Sequence, residues 1–501
     1  MNDAGPVRNV VIAGGGTAGW MAAAALSKML PMHESTITLV ESDEIGIVGV
    51  GEATIPPIKT FNGMLGIDEN EFVAATKGSF KLGIEFDGWQ RAGEAYLHPF
   101  GPYGHDINGI KFHHFWLKLQ KLGFAVPLNE FNMSAVAARH YRFDRPEHLL
   151  APAGAALDYA YHFDAGLYAN FLRAYSELRG VVRHEGKIER VEQNPATGFI
   201  TELILDNGTQ IEGELFIDCT GFRALLIEQC LQTGYDDWSH FLPCNRALAV
   251  PTERTEPLIP YTRSTARVAG WQWRIPLQHR TGNGLVYCSS ELSEDEASTI
   301  LMENLDSQPL AEPRPLKFTT GRRKLAWNKN CVALGLAGGF LEPLESTSIH
   351  LIQAGISKLL ALFPDKDFKS HERDEYNRLT ASQWEHIRDF LILHYKLNER
   401  PEQFWRHCAA MDVPESLRRK IDLFAGRGRL FRYEDELFTD TNWTAVMVGQ
   451  GLVPAGYDPL VDAIPDGPMK KLLAGIGQSF RQAADRMPTH ADYIMHNCRG
   501  V

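Results

Sequence analysis

The chain has 501 residues, of which 44% are hydrophobic and 22% charged, so it can bury a large core and is not a disordered protein. Fifty basic and 62 acidic residues give a net charge of −12, which disfavours nonspecific binding to nucleic acid or to an anionic membrane. The seven cysteines form no CxxC pair, so we interpret them as reduced thiols, without a zinc site or disulfide framework. Because no signal peptide and no apolar run of about 18 residues is present, we expect a soluble cytoplasmic protein without a membrane partner.

The first readable unit of the chain is a strand, a glycine-rich turn and a helix. An apolar run at 8–13 is followed by GGGTAG at 14–19 and by an alanine-rich stretch at 20–30. A second apolar run at 35–40 then ends in Glu41. This order is that of a dinucleotide-binding βαβ unit.

The spacing of the glycines supports the same interpretation. Gly14, Gly16 and Gly19 suit a tight turn, a close approach of the backbone to a pyrophosphate, and close packing of helix on strand. Glu41 follows about 22 residues after the last glycine, at the distance where an acid accepts a hydrogen bond from a ribose hydroxyl. The alternative is a glycine-rich turn without a ligand, but the correct context on both sides favours nucleotide binding.

Later segments return to this nucleotide unit. The run at 215–218 delivers Asp218 to a turn, and the run at 332–345 breaks into glycines and then an acidic loop. Two-dinucleotide flavoproteins often show such late returns to the nucleotide sheet. Between the two segments, β-type runs predict an inserted sheet; they lie at 245–250, 266–275 and 284–289.

Four short segments are more specific than the rest of the sequence. They read GGGTAGW at 14–20, VGEATIP at 50–56, GWQWRIP at 270–276 and FLEPLEST at 340–347. Together they resemble the flavin-dependent halogenases of the tryptophan halogenase family, and the likeness runs along nearly the whole chain. The third segment contains the WxWxIP signature, which separates these enzymes from flavin monooxygenases of the same fold.

The fold class that follows is α/β. We expect a Rossmann-like FAD-binding module, similar to that of aromatic hydroxylases, over 1–360, with the inserted sheet at about 240–290 and a substrate-contacting segment at about 95–150. A mainly helical, substrate-covering module should occupy 361–501 and pack with the first as one unit. Helical patterns support this division; they lie at 348–363, 374–397 and 402–410.

The resemblance implies a cofactor and its chemistry. Reduced FAD and O2 would form a flavin hydroperoxide, which oxidises chloride or bromide to hypohalous acid, while the organic substrate is kept away from the flavin. No metal is expected. The residues that the resemblance assigns to cofactor binding are Gly14, Gly16, Thr17, Ala18, Gly19, Glu41, Val50, Ala53, Leu336 and Ile349.

Two further assignments concern the surroundings of the flavin. The backbone N–H groups of Thr347 and Ser348 open a predicted helix and suit an anion, and the resemblance makes them the halide site; a simple N-cap is the alternative. Trp271 and Trp273 stand at i and i+2, on one side of a strand. The resemblance makes them a wall beside the flavin, whereas plain core packing is the alternative.

Lys81 is the first of two catalytic candidates. It lies in the alternating run SFKLGIEF at 79–86, on the polar face, where a lysine is ordinarily solvated. The resemblance makes it the lysine that hydrogen-bonds hypohalous acid or forms a haloamine, and an ammonium there would polarise the halogen. Lys77 is the neighbouring candidate, and the spacing to the Phe80 and Leu82 pair favours Lys81.

The second catalytic candidate is a glutamate. Glu342 and Glu345 are three residues apart, and on the bare sequence either could stabilise a cationic arene and accept its proton. The resemblance of the PLES context assigns Glu345.

Substrate recognition is predicted from aromatic residues. His98, Phe100 and Trp443 resemble the residues that sandwich an indole ring in the family. Relatives that accept tryptophan have a tyrosine- and tryptophan-rich stretch for the amino-acid part, whereas 434–448 holds only two aromatic residues here. We therefore expect an electron-rich arene, of indole or pyrrole type, rather than free tryptophan.

The sequence also predicts a partner protein and leaves two alternative functions open. Only one nucleotide motif is evident, so a separate flavin reductase is expected to supply reduced FAD; a homodimer is left open. An aromatic hydroxylase is the alternative enzyme, and a flavin-fold binding protein without catalysis is the alternative from another class.

Overall fold

The computed structural model of the protein describes residues 5–45, 51–149, 156–434 and 436–500. The chain forms two compact units whose segments alternate in sequence. The first unit comprises residues 1–77, 163–240 and 318–385, and the second comprises 78–162, 241–317 and 386–501. Within the described residues, each helix is either too short or too polar to cross a membrane.

The strands of both units are short. In chain order they are Asn9–Ala13, Thr36–Glu41, Gly51–Ala53, Ser79–Lys81, Gly83–Asp87, Ala95–Pro99, Ala160–Asp164, Val182–Glu185, Ile188–Gln193, Ile200–Leu205, Gln210–Glu212, Leu215–Asp218, Tyr235–Asp237, Arg246–Glu253, Thr262–Arg267, Gly270–Pro276, Arg280–Tyr287, Arg314–Lys317, Gly321–Arg323, Trp327–Asn328, Cys331–Ala333 and Gly339–Phe340.

The α-helices are concentrated in the C-terminal third of the chain. In order they are Thr17–Met29, Pro57–Leu65, Glu69–Ala75, Phe112–Lys121, Met133–Arg139, Ala165–Glu177, Glu294–Glu303, Ser348–Ala361, Ser370–Lys396, Gln403–Ala410, Glu415–Arg427, Asp440–Gly449, Asp466–Arg486 and His490–Asn497. The helices predicted at 348–363, 374–397 and 402–410 are therefore confirmed, with ends shifted by a few residues. The expected module boundary at 360 falls within one of these helices.

A parallel sheet organises the first unit. The order of its described strands is Trp327–Asn328, Cys331–Ala333, Leu215–Asp218, Asn9–Ala13, Thr36–Glu41 and Val182–Glu185. All neighbours are parallel except the first pair. Ala13 lies beside Val40 and Asp218, and Asp218 lies beside Ala333, so the carboxyl ends of these strands meet at one edge. Ligands bind at that edge in open α/β sheets, and the predicted Rossmann-like fold class is confirmed.

A mostly antiparallel sheet organises the second unit. The order of its described strands is Arg314–Lys317, Arg246–Glu253, Arg280–Tyr287, Gly270–Pro276, Thr262–Arg267, Gly83–Asp87 and Ala95–Pro99. The run at 266–275, which the sequence pattern treats as one segment, is two strands joined by a tight turn, because Arg267 pairs with Gly270. Gly270 has a φ of +150°, and a Cβ there would lie 2.0 Å from the carbonyl oxygen of Val286. Only glycine therefore fits at position 270, where the backbone of the neighbouring strand lies so close.

The predicted strand at 79–86 is also divided in the structure. Ser79–Lys81 pairs with Ala160–Asp164, whereas Gly83–Asp87 belongs to the antiparallel sheet. Leu82 separates the two, because its N–H donates to the Pro260 carbonyl at 2.8 Å and its own carbonyl accepts from the Phe100 N–H at 2.9 Å. Lys81 therefore stands at the end of one short strand, which we call the lysine strand (Ser79–Lys81).

Candidate active site

The glycine turn of the first unit has the geometry of a nucleotide-binding turn. Gly14 has a φ of +105°, and a Cβ there would lie 2.4 Å from the carbonyl oxygen of Cys219. A Cβ at Gly19 would lie 1.9 Å from the carbonyl oxygen of Gly14. These two glycines are therefore required by the packing of the turn itself. A Cβ at Gly16 would meet no described atom within 4 Å, so that side of the turn is open to a ligand.

The helix that follows the turn presents free N–H groups. Helix Thr17–Met29 begins after Gly16, which has no side chain to cap it, and its first turn contains no acidic residue. The positive end of the helix dipole is thus available to an anion. The pyrophosphate of FAD fits this cradle, with Thr17 and Ala18 in the same turn.

Glu41 is held firmly beside the glycine turn. Its carboxylate accepts a hydrogen bond from Trp20 Nε1 at 3.3 Å and forms an ion pair with Arg183. A Cβ at Gly15 would lie 1.6 Å from the Glu41 carboxylate, so Gly15 must be glycine if the acid is to reach this position. Gly15 has no role among the sequence predictions, although the three consecutive glycines at 14–16 are a signal that points to it.

Asp218 stands at the same sheet edge but serves the backbone. Its carboxylate accepts hydrogen bonds from the N–H groups of Leu226 and Ile227 at 2.9 and 2.8 Å. It also accepts from the hydroxyl of Thr220 at 2.6 Å. With these contacts the buried side chain fixes the segment that follows it.

The remaining cofactor candidates lie on three other segments of the first unit. Leu336 is in the 3-10 turn Gly335–Ala337, where a Cβ on Gly335 would lie 2.9 Å from the Cβ of Ala18. Ile349 is buried in the first turn of its helix, and Ala53 is buried in a short strand. Val50 lies outside the described residues. Next to Ala53, burial raises the pKa of the Glu52 carboxyl to about 7.

The predicted halide residues open helix Ser348–Ala361. Thr347 is the N-cap and is buried, yet its hydroxyl makes no capping bond with the described backbone. The preceding residue, Ser346, has a left-handed φ of +59°, which turns the chain sharply into the helix. Although Thr347 occupies the N-cap position, its side chain therefore does not cap the helix, contrary to the N-cap alternative. The N–H groups at the start of the helix are left for another acceptor.

Both candidate glutamates are buried just before this helix. Glu345 ends the 3-10 turn Pro343–Glu345 and Glu342 precedes it, and each is 1% exposed. Burial therefore does not show which of the two glutamates is catalytic. Keeping either carboxylate charged in such a buried place costs free energy.

Lys81 is completely buried, so the solvated alternative for this residue is wrong. Its side chain has no exposed surface, whereas Lys77 is only half-buried. The Lys81 ammonium lies 5.3 Å from the centroid of the Phe100 ring, within the range of a cation–π contact. The second unit thus brings together one predicted catalytic residue and one predicted substrate residue.

The two tryptophans share one side of their strand, as predicted. On the strand Gly270–Pro276, which we call the signature strand, the Trp271 and Trp273 rings have centroids 6.1 Å apart and both are buried. Gly284 on the neighbouring strand makes room for Trp273, because a Cβ there would lie 2.0 Å from the indole. The position of the Trp273 ring therefore requires glycine at position 284.

His98 is held in place by the C-terminal helices of the second unit. Its Nε2 lies 2.9 Å from the side-chain amide of Asn442, which donates the hydrogen bond because its oxygen already accepts from Thr439. The ring makes an edge contact with Phe390 at 5.7 Å. His98 therefore has a fixed orientation.

Trp443 is surrounded by polar and aromatic partners. Its Nε1 donates to Glu436 at 3.0 Å, and Glu436 also forms an ion pair with Lys420 at 3.0 Å. The Lys420 ammonium lies 4.9 Å from the Trp443 ring, and Phe390 contacts that ring edge-on at 4.8 Å. Trp443 is only 1% exposed.

Two histidines that have no role among the sequence predictions flank the lysine strand. His162 lies 3.0 Å from the hydroxyl of Ser79, and His490 accepts from the Phe80 N–H at 3.0 Å. Their partners are 83 and 410 residues distant in the sequence, so no local sequence pattern predicts these two contacts.

Together, the parallel sheet, the glycine turn and the open helix start define a dinucleotide-binding protein of the Rossmann type. Over residues 9–466 the sequence matches the tryptophan halogenase family. A flavin-dependent halogenase from Xanthomonas campestris, Xcc4156, is 50% identical with a TM-score of 0.95, covering 99% of each chain. BrvH, a flavin-dependent halogenase from Brevundimonas sp. BAL3, is 47% identical with a TM-score of 0.94, covering 98% of this chain and 99% of that chain. The tryptophan 6-halogenase SttH of Streptomyces toxytricini is 33% identical over 527 residues, 99% of each chain.

The chain therefore belongs to the tryptophan halogenase family and is a flavin-dependent halogenase. The resemblance stated from the four sequence segments is confirmed along nearly the whole chain.

Proposed function

We propose that this protein halogenates an electron-rich arene of indole type, with FAD reduced by a separate reductase. The observation that carries the proposal is the fully buried Lys81 ammonium, 5.3 Å from the Phe100 ring centroid. A lysine is placed in such an environment at a cost, and the cost is understandable where an ammonium acts on a reagent beside an aromatic substrate.

The residues of the first unit that would hold FAD are those of the glycine turn, with Glu41 at a ribose. When bound and reduced, FAD with O2 supplies the oxidant that converts halide to hypohalous acid. The uncapped start of helix Ser348–Ala361, at Thr347 and Ser348, would bind chloride or bromide through backbone N–H groups.

Lys81 and Glu345 are the proposed catalytic residues. The Lys81 ammonium would donate a hydrogen bond to hypohalous acid and polarise the halogen towards the arene. The Glu345 carboxylate would stabilise the positive charge that develops on the ring and accept the proton that leaves it. His98 and Phe100 would hold the flat faces of the substrate.

The substrate is proposed to lack a free amino-acid group. Among the described residues of 434–448, Glu436 has a buried carboxylate, and Lys420, the Trp443 indole and the Tyr433 N–H already use it. An α-ammonium would have to displace the Lys420 ammonium from this site. Simple indoles, or an indole within a larger molecule, need no such exchange.

Product analysis tests the proposed function directly. The protein is incubated with FAD, a flavin reductase, NADH, bromide and indole, and products are identified by mass spectrometry. Brominated indole supports the proposal, while an oxygenated indole would indicate the hydroxylase alternative. Absence of turnover across a panel of small arenes and both halides would leave the non-catalytic alternative. Omission of bromide is the control for product assignment.

A further inference from the structure

His490 contacts the backbone immediately before Lys81. This residue begins the last helix, His490–Asn497, and is fully buried. Its Nε2 accepts a hydrogen bond from the Phe80 N–H at 3.0 Å, and its Nδ1 lies 2.9 Å from the carbonyl oxygen of Leu258. The His490 N–H itself donates to the Tyr141 carbonyl at 2.8 Å, which anchors the start of the helix.

These partners determine the protonation of His490. A carbonyl oxygen can only accept, so Nδ1 must carry the proton, and a backbone N–H can only donate, so Nε2 must not. The imidazole is therefore neutral and in one tautomer. The ring therefore links the Phe80 N–H of the lysine strand to the Leu258 carbonyl, which is remote in the sequence.

His162 lies on the other flank of the same strand. It is directly opposite Ser79 in the antiparallel pair, and Ser79 and Lys81 point to the same side because they are two residues apart. His162 Nδ1 is 3.0 Å from the Ser79 hydroxyl, and its Nε2 is 2.9 Å from the Thr262 hydroxyl. His162 is also fully buried.

The Ser79 hydroxyl connects His162 to the signature strand. It donates to the carbonyl oxygen of Pro276 at 2.6 Å, the last residue of that strand. Its single proton is then used, so towards His162 it can only accept, and His162 Nδ1 carries the proton. The lysine strand is thus bonded to the end of the strand that carries both signature tryptophans.

We propose that His162 and His490 are positioning residues for Lys81, acting as two buried imidazoles that hold the lysine strand from its two sides. The proposal rests on the proposed function of Lys81. The short strand has few ladder bonds of its own, because Leu82 leaves it. The two histidines therefore fix the backbone from which the ammonium projects, and small displacements of a catalytic group are costly.

Asn and Gln variants test the Nδ1 and Nε2 hydrogen bonds of each imidazole ring separately. At His490, Gln places an oxygen near the position of Nε2 and can still accept from Phe80, whereas Asn reaches only the Nδ1 position. At His162 the relation is inverted, because Asn can keep the donor to Ser79 while Gln keeps only the contact to Thr262. We therefore expect a crossed pattern, in which Gln preserves function in place of His490 and Asn preserves it in place of His162.

The kinetic readout is kcat for arene halogenation. We expect His490→Asn and His162→Gln to lose about 100-fold in kcat, and His490→Gln and His162→Asn to stay within about fivefold of the unmodified enzyme. The KM for the arene should change by no more than about twofold in all four. Equal losses for Asn and Gln at either position, or full activity in all four variants, would overturn the proposal.

A second readout needs no turnover. Hydrogen exchange of a peptide spanning 79–82, measured by mass spectrometry on the full chain, should accelerate in His490→Asn and His162→Gln but not in the other two. If the unmodified protein fails to halogenate any arene, the proposed function is wrong, while the crossed exchange pattern still decides whether the histidines hold the strand. Uniform exchange among the four variants would show that they do not.

Discussion

The ammonium of Lys81 lies 5.3 Å from the centre of the Phe100 ring, and both side chains are buried. A desolvated contact of this kind contributes about 2 kcal/mol, which offsets part of the cost of burying the charge. It also places the proposed halogen-directing group beside an aromatic residue proposed to bind the substrate. The two roles are thereby joined in one unit of the fold.

Removal of the Lys81 ammonium should abolish halogenation. Lys81→Ala is expected to reduce the rate by at least about 100-fold, since a charged donor to the reagent is lost, while FAD affinity measured by fluorescence titration stays unchanged. Lys77→Ala is the matched control, and it should retain normal rates because Lys77 is half-buried and precedes the lysine strand. Full halogenation by Lys81→Ala would refute the mechanism.

The two buried glutamates should differ in function. Glu345→Gln is expected to lower kcat by about 10² to 10³-fold because it removes the base and charge stabiliser. Glu342→Gln should cost much less in kcat, since that residue is not assigned to catalysis. Rates are compared at saturating halide and arene. A larger loss from Glu342→Gln would exchange the roles of the two residues.

Reduced flavin should have to come from another protein. The purified chain is expected to show no NADH oxidation, because only one nucleotide-binding turn is evident in its sequence. Addition of a flavin reductase, or of chemically reduced FAD, should start halogenation. Absorbance at 340 nm follows NADH, and robust NADH-dependent turnover by the chain alone would favour the hydroxylase alternative.

Indole should be a better substrate than free tryptophan. The Glu436 carboxylate is already bound by Lys420 and Trp443, so an amino acid gains no ready partner for its ammonium group. In a competition with equal concentrations, we expect halogenated indole to dominate, with substitution at the electron-rich C3 and with bromide used faster than chloride. Faster chlorination of free tryptophan at one carbon of the benzo ring would contradict this interpretation.

The neutral state of His490 should make stability depend on pH. Burial, together with the charge of Arg254, lowers its pKa from 6.5 to about 4 against the opposing effect of the Leu258 carbonyl. Between pH 6.5 and 4 the unfolded chain binds a proton that the folded chain does not, so stability is complete above about pH 6.5 and falls as the pH decreases through this window.

Urea unfolding at pH 7.5 and 5.0 measures this effect. The unmodified protein should lose about 2 kcal/mol more than His490→Gln over that interval, because glutamine does not titrate. Other buried histidines contribute equally to both proteins and cancel in the comparison. An identical pH dependence in the two would show that His490 takes up a proton as readily in the folded protein as in the unfolded chain.

The local order of residues determined much of the fold. Strand, glycine turn, helix and acid follow each other within 8–41, and the structure has them as adjacent parallel strands with Gly14 and Gly19 in close contacts. Helical periodicity also located the three helices predicted at 348–363, 374–397 and 402–410 to within a few residues. The alternating runs at 79–86 and 266–275, in contrast, each proved to be two strands. These features are readable because hydrophobic period and glycine spacing are short-range properties of the chain.

The tertiary structure decided what each polar side chain does. The alternation at 79–86 suggested one strand with a solvated lysine, but the Pro260 carbonyl takes the N–H of Leu82, and remote segments bury Lys81. Likewise, the acid Asp218 proved to bind backbone, and His490 reached Phe80 from 410 residues away. Burial and the choice of hydrogen-bond partner depend on which distant segments pack together, and no local pattern of residues carries that information.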